Sequence, residues 1–149
     1  MPEKETLERA REDEREGKSP SAQAGEFVRE EMHHVREGKH GAASPKQAIA
    51  IGLSKARRAG VKLPAPRAGS SSADTRKKAA RDSRKGQSES HRKVSSKRSR
   101  ATTQALKQKG HSAASRSALS KQAKLAAKKR GPIARREAAM KASRTRKAA

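Results

Sequence analysis

Ser44-Pro45-Lys46-Gln47-Ala48-Ile49-Ala50-Ile51-Gly52-Leu53-Ser54-Lys55-Ala56-Arg57-Arg58-Ala59-Gly60 carries the clearest structural signal in the chain. A Ser at the N-cap, a Pro at the first helical position and a Gln at the third form a capping box, which satisfies backbone N–H groups that a helix start leaves open. Ile49, Gly52, Leu53 and Ala56 then share one face at helical spacing, with Ala48 and Ala59 at its edges. Gly60 supplies the stop, and Val61 or Leu63 just beyond it is placed to fold back on the last turn. Gly52 on the apolar face permits close approach of a neighbouring helix. Ser44-Pro45-Lys46 also has the form of a turn that lies in a DNA minor groove in histone tails, but Gln47 and the apolar face behind it favour the helix start.

Moving toward the N-terminus, Ser19-Pro20 repeats the cap-then-proline start, and Ala24, Phe27, Val28, Met32 and Val35 make an apolar stripe that Gly38 closes. About six residues join this helix to the next, a normal length between antiparallel neighbours. A shorter and very polar helix is predicted over residues 6–16, stopped by Gly17. Arg15-Glu16-Gly17-Lys18 recurs as Arg36-Glu37-Gly38-Lys39, each just before a Ser-Pro start. The sequence thus predicts a mainly α protein whose N-terminal module, residues 1–64, holds two to three short helices packed through Phe27, Val28, Met32, Val35, Ile49 and Leu53.

Beyond this module the composition changes. Residues 65–72 read as a Pro/Gly/Ser linker. Residues 1–64 carry 13 Lys/Arg against 11 Asp/Glu, whereas residues 65–149 carry 26 against 4. Ile, Leu, Val and Phe number 14 in 149 residues, well below the content that drives chain collapse, and Ala buries little area. Residues 73–149 are therefore expected to form a long, largely disordered Lys/Arg/Ala/Ser-rich tail. Transient helices are expected over residues 100–109, 112–129 and 132–143, ordered only when phosphates relieve the charge repulsion.

Such a polycation suits a polyanion. The expected phosphate contacts are Arg57 and Arg58 at the end of the third helix, and the tail clusters Arg76-Lys77-Lys78, Arg84-Lys85, Arg92-Lys93, Lys97-Arg98, Lys128-Lys129-Arg130, Arg135-Arg136, Arg144 and Arg146-Lys147. Phe27 is the sole aromatic residue. Stacking on single strands and base readout are therefore disfavoured against backbone contact with a duplex. The expected function is sequence-independent DNA binding of a histone-like, nucleoid-associated kind. An RNA-binding or ribosome-associated protein is one rival. The other is a protein-interaction module, stress-related or self-associating through Phe27, Val28, Met32, Ile49 and Leu53.

No catalytic arrangement is legible. There is no Cys, no Gly-rich phosphate loop and no Ser-His-Asp pattern. His33, His34 and His40 lack the i, i+4 His spacing of a helical metal site, so neither metal nor cofactor is expected. No apolar run could serve as a secretion signal or membrane span, which points to the cytoplasm.

Residues 19–64 resemble a family of small bacterial proteins of unknown function. The likeness rests on Gly25-Glu26-Phe27-Val28-Arg29-Glu30-Glu31-Met32 and on the Lys-Gln-Ala-Ile-Ala-Ile, Ser-Lys-Ala-Arg and Ala-Gly segments within residues 46–60. The resemblance implies a bacterial, cytoplasmic setting and basic extensions. The tail resembles bacterial linker-histone-type proteins by composition alone.

Overall fold

The computed structural model describes residues 2–88 and 95–147. Six helices follow in order: α1 (Lys4–Arg15), α2 (Pro20–Arg36), α3 (Pro45–Arg58), α4 (Ala73–Gln87), α5 (Ser96–Lys107) and α6 (Arg116–Lys147), with a 3-10 turn at Ser112–Ala114 before α6.

The starts of α2 and α3 form as their sequences dictate. Ser19 Oγ accepts from Ala22 N at 3.4 Å and Ser44 Oγ from Gln47 N at 3.3 Å. The return bond of the α3 capping box reaches one residue further back, with Ala43 N donating to Gln47 Oε1 at 2.8 Å. The repeated Arg-Glu-Gly-Lys punctuation is one geometry used twice. Gly17 and Gly38 sit at φ 71° and 75°. The next residue then bonds back across the helix end, Lys18 N to Asp13 O at 2.8 Å and Lys39 N to His34 O at 3.0 Å. Gly60, at φ 100°, ends α3 the same way, with Val61 N donating to Ala56 O at 3.1 Å.

Two small cores result. Phe27, Ala10, Ala24 and Ala56 pack together from α1, α2 and α3, sheathed by Leu7, Leu53, Val61 and Leu63. Met32, Val35, Ala42 and Ala48 form the second, with Ala113 and Ala114 of the 3-10 turn inserted and Val28, Ile49 and Leu119 against it. The six expected packing residues all lie in these cores. Phe27, Met32 and Val35 are buried, and Val28, Ile49 and Leu53 half-buried. They pack against one another within the chain. Gly52 seats α3 against α2: a Cβ there would meet Val28 Cα at 2.7 Å and the Phe27 carbonyl oxygen at 3.0 Å.

The expectation of a long disordered tail is overturned. α4, α5 and α6 cover most of residues 73–147, and parts of this region dock on the N-terminal helices. Two physical features account for the difference. Serines that read as mere solubility are N-caps: Ser72 accepts from Thr75 N at 3.2 Å, Ser95 from Arg98 N at 3.5 Å and Ser115 from Ala118 N at 3.2 Å. They open segments rich in Ala, the best helix former. Docking, in turn, uses small residues and hydrogen bonds where large apolar side chains are lacking. α4 turns Ala79 and Asp82 inward, and Asp82 accepts from Ser54 Oγ at 2.7 Å and from Arg58 Nε at 2.9 Å. Gly86 lies against the Arg57 carbonyl so closely that a Cβ would overlap that oxygen. Further on, Gly41 N donates to Leu106 O at 3.0 Å, Ala42 N to Gly110 O at 3.1 Å and Arg36 Nε to Ala114 O at 3.0 Å. His111 Nδ1 donates to Val35 O at 2.9 Å. The expected helical stretches of the tail match α5 and the two halves of α6, which break at Gly131 (φ 78°, ψ 169°) before Pro132.

The seat of α4 gives a direct test. Gly86→Ala is expected to cost about 1–3 kcal/mol by forcing backbone apart. Gly25→Ala, with nothing within 4 Å of its Cβ, is expected to gain about 0.5–1 kcal/mol. Urea unfolding followed by circular dichroism reads both.

Candidate nucleic-acid interface

Only one face of α4 is used for packing, so its cations point elsewhere. Ala79 and Asp82 face α3, while Lys77, Lys78, Arg81, Arg84 and Lys85 are exposed and Arg76 is half-buried. Lys78 pairs with Asp74 at 2.7 Å, a bond that lowers the Asp74 pKa. In α5, Lys97 and Arg98 are exposed with Arg100 and Lys107. α6 carries twelve Lys/Arg and a single acid, Glu137. All twelve are exposed, including the expected Lys128, Lys129, Arg130, Arg135, Arg136, Arg144, Arg146 and Lys147. Arg116, Lys121, Lys124 and Lys141 belong to the same surface, although isolated cations gave no cluster signal in the sequence. Arg92 and Lys93 lie outside the described residues.

Two expected contacts are placed differently. Arg57 is buried at 6% exposure and its Nη2 donates to Pro64 O at 3.0 Å, so it closes the end of α3 and offers nothing to a phosphate. Arg58, its neighbour, is exposed, but its guanidinium is bound to Asp82 through Nε and Nη2, both at 2.9 Å. Successive residues on a helix diverge by about 100°, so one arginine enters the core edge and the next reaches α4.

The acids of the N-terminal half do not cancel this charge, because many are consumed locally. Glu30 and Glu31 of α2 are buried, and Lys55 Nζ reaches both, at 3.0 and 2.8 Å. Burial works against the charged form of Lys55, but its bonds to Glu31 and Glu30 prevail and raise its pKa. Burial likewise opposes the Glu30 carboxylate. Bonds from Lys55, the Glu3 backbone N–H and Thr6 outweigh it, so the pKa of Glu30 is lowered. Glu3 accepts from His34 Nε2 at 2.9 Å and Lys39 Nζ at 3.0 Å, and these bonds bring its pKa down to about 2. Glu26 pairs with Arg9 at 2.8 Å and Asp13 with Lys18 at 2.7 Å. Among the described residues, by contrast, no ion pair engages a cation of α5 or α6. The cluster around Lys55 escaped sequence reading because its members come from three separate segments.

The α2–α3 pair with its flanking turns lies in a segment that is similar to a protein family. Residues 17–67 match the model of DUF6496, a family of unknown function. No curated protein and no solved structure matches the chain. The DUF6496 segment contains the packing residues, the capping box and the buried Glu30–Glu31–Lys55 group, whereas the exposed basic surface of α4 to α6 lies outside it. Among the described residues no helix is long and apolar enough to cross a membrane.

Proposed function

We propose that the chain binds duplex DNA independently of sequence, through backbone phosphates, and acts as a small nucleoid-associated protein. The observation that carries this reading is the set of twelve exposed cations on α6, in no ion pair among the described residues, with four more on α5. Helices that already hold their cations in register lose less entropy on meeting a polyanion than a disordered tail would. Cations spaced along a helix suit the dense, repetitive charge of a duplex, and contacts to phosphates carry no base information. Phe27, the one Phe, Tyr or Trp in the sequence, is fully buried, so no large aromatic ring is offered for an unpaired base to stack on.

Fluorescence anisotropy with unrelated duplexes and a structured RNA tests the proposal. The parent chain is expected to bind duplexes of different sequence with affinities within about threefold of one another. Replacing the twelve Lys/Arg of α6 by Gln is expected to weaken binding at least about a hundredfold. A substituted chain that binds like its parent would overturn the role of α6. A marked preference for structured RNA would move the partner from DNA to RNA.

A further inference from the structure

We propose that Glu31, His34 and His40 form a binding site for a divalent first-row transition ion, with Zn2+ as the best-fitting probe. Each offers one ligand atom, and the three atoms lie within 4.8 Å of one another. That separation needs only small side-chain movements to reach the 2.0–2.2 Å bonds, about 3.4 Å between ligands, of a tetrahedral ion. Sequence spacing gave no hint of this, since His34 and His40 are six apart. The Gly38 turn reverses the chain after α2 and returns His40 to the side of that helix, where the two imidazoles meet edge to face at 6.0 Å.

The hydrogen bonds around the three groups are those a metal requires. His40 Nδ1 faces the Gly41 carbonyl at 3.2 Å. A carbonyl only accepts, so Nδ1 carries the hydrogen, and in the neutral ring Nε2 presents its lone pair. That lone pair faces Glu31 Oε1 at 3.1 Å, an acceptor against an acceptor. Glu31 is wholly buried, and Lys55 holds its other oxygen, Oε2, at 2.8 Å. Among the described residues, neither oxygen has a partner beyond these two contacts. A cation between His40 Nε2 and Glu31 Oε1 removes the conflict, and a metal ion is favoured over a proton because His34 supplies a third ligand. Glu3, accepting from His34 Nε2 at 2.9 Å, is the outer carboxylate that orients a metal-bound imidazole. The charges agree. With neutral histidines, Glu3, Glu30, Glu31 and Glu37 face Lys39 and Lys55, leaving two negative charges in excess. Two imidazoles and one carboxylate select a transition ion over Ca2+ or Mg2+.

Calorimetric titration of the untagged full-length chain with Zn2+ is the test. One saturable Zn2+ per chain is expected. His34→Gln and His40→Gln should each weaken it by about tenfold or more, while His33→Gln, at an exposed position on α2, should leave it unchanged. Circular dichroism establishes that the variants remain helical. Should they unfold, Co2+ bound to the parent chain reports ligation directly through visible d–d bands of an N/O-coordinated ion. Absence of saturable Zn2+ binding, absence of those bands, or binding that survives both His34→Gln and His40→Gln would each overturn the proposal.

Discussion

Phe27→Ala is expected to cost about 3–5 kcal/mol, the range for emptying a buried aromatic site. Phe27 is fully buried, and the neighbours that hold it come from α1, α2, α3 and the turn after α3. Its fully packed partners, Ala10, Ala24 and Ala56, have side chains that cannot extend into the space left behind, and Leu7, Leu53, Val61 and Leu63 only sheathe the cluster. Small domains are stable by about 5–15 kcal/mol, and with so few large apolar side chains this one belongs near the lower end. The urea midpoint followed at 222 nm should therefore fall by half or more, with α1, α2 and α3 lost together. Phe27→Leu keeps most of the contacts and should cost clearly less. A shift below about 1 kcal/mol for Phe27→Ala would mean that the two cores do not depend on this ring.

The helices of the DUF6496 segment were legible because their signals are local. Ser19-Pro20 and Ser44-Pro45 mark starts, Gly38 and Gly60 mark ends, and the apolar stripes between them meet where Gly52 lets two backbones approach. The order of the basic half was not legible, because the groups that dock it are distant in sequence and small. Asp82 finds Ser54 and Arg58, Gly41 finds Leu106, and Arg36 finds Ala114. None of these adds to a count of large apolar residues, which is why such a count predicts disorder. Arg57 and Arg58 show the same limit at one residue's resolution. Charge placed both at a phosphate interface, whereas helix geometry turns Arg57 inward and gives Arg58 to Asp82. The Glu31–His34–His40 group depends on a glycine turn whose direction the sequence spacing does not give.

The second large effect expected is the salt dependence of DNA binding. A cation that neutralises a phosphate on a duplex releases condensed counterions, so the logarithm of the affinity falls with the logarithm of salt concentration by about 0.9 per contact. With about six to ten of the exposed cations of α4 to α6 engaged, the slope lies near −5 to −9, and affinity falls by about 10³ to 10⁵ between 50 and 200 mM salt. This dependence is a property of the contacts and not of the sequence bound. It should appear equally on A·T-rich and G·C-rich duplexes of equal length.

Measuring the affinity of the full-length chain for a duplex across that salt range is the most direct test of the account. The account predicts a straight line in the logarithms with a slope of about −5 or steeper, the same for unrelated sequences. A slope flatter than about −2, or undiminished binding at high salt, would contradict it.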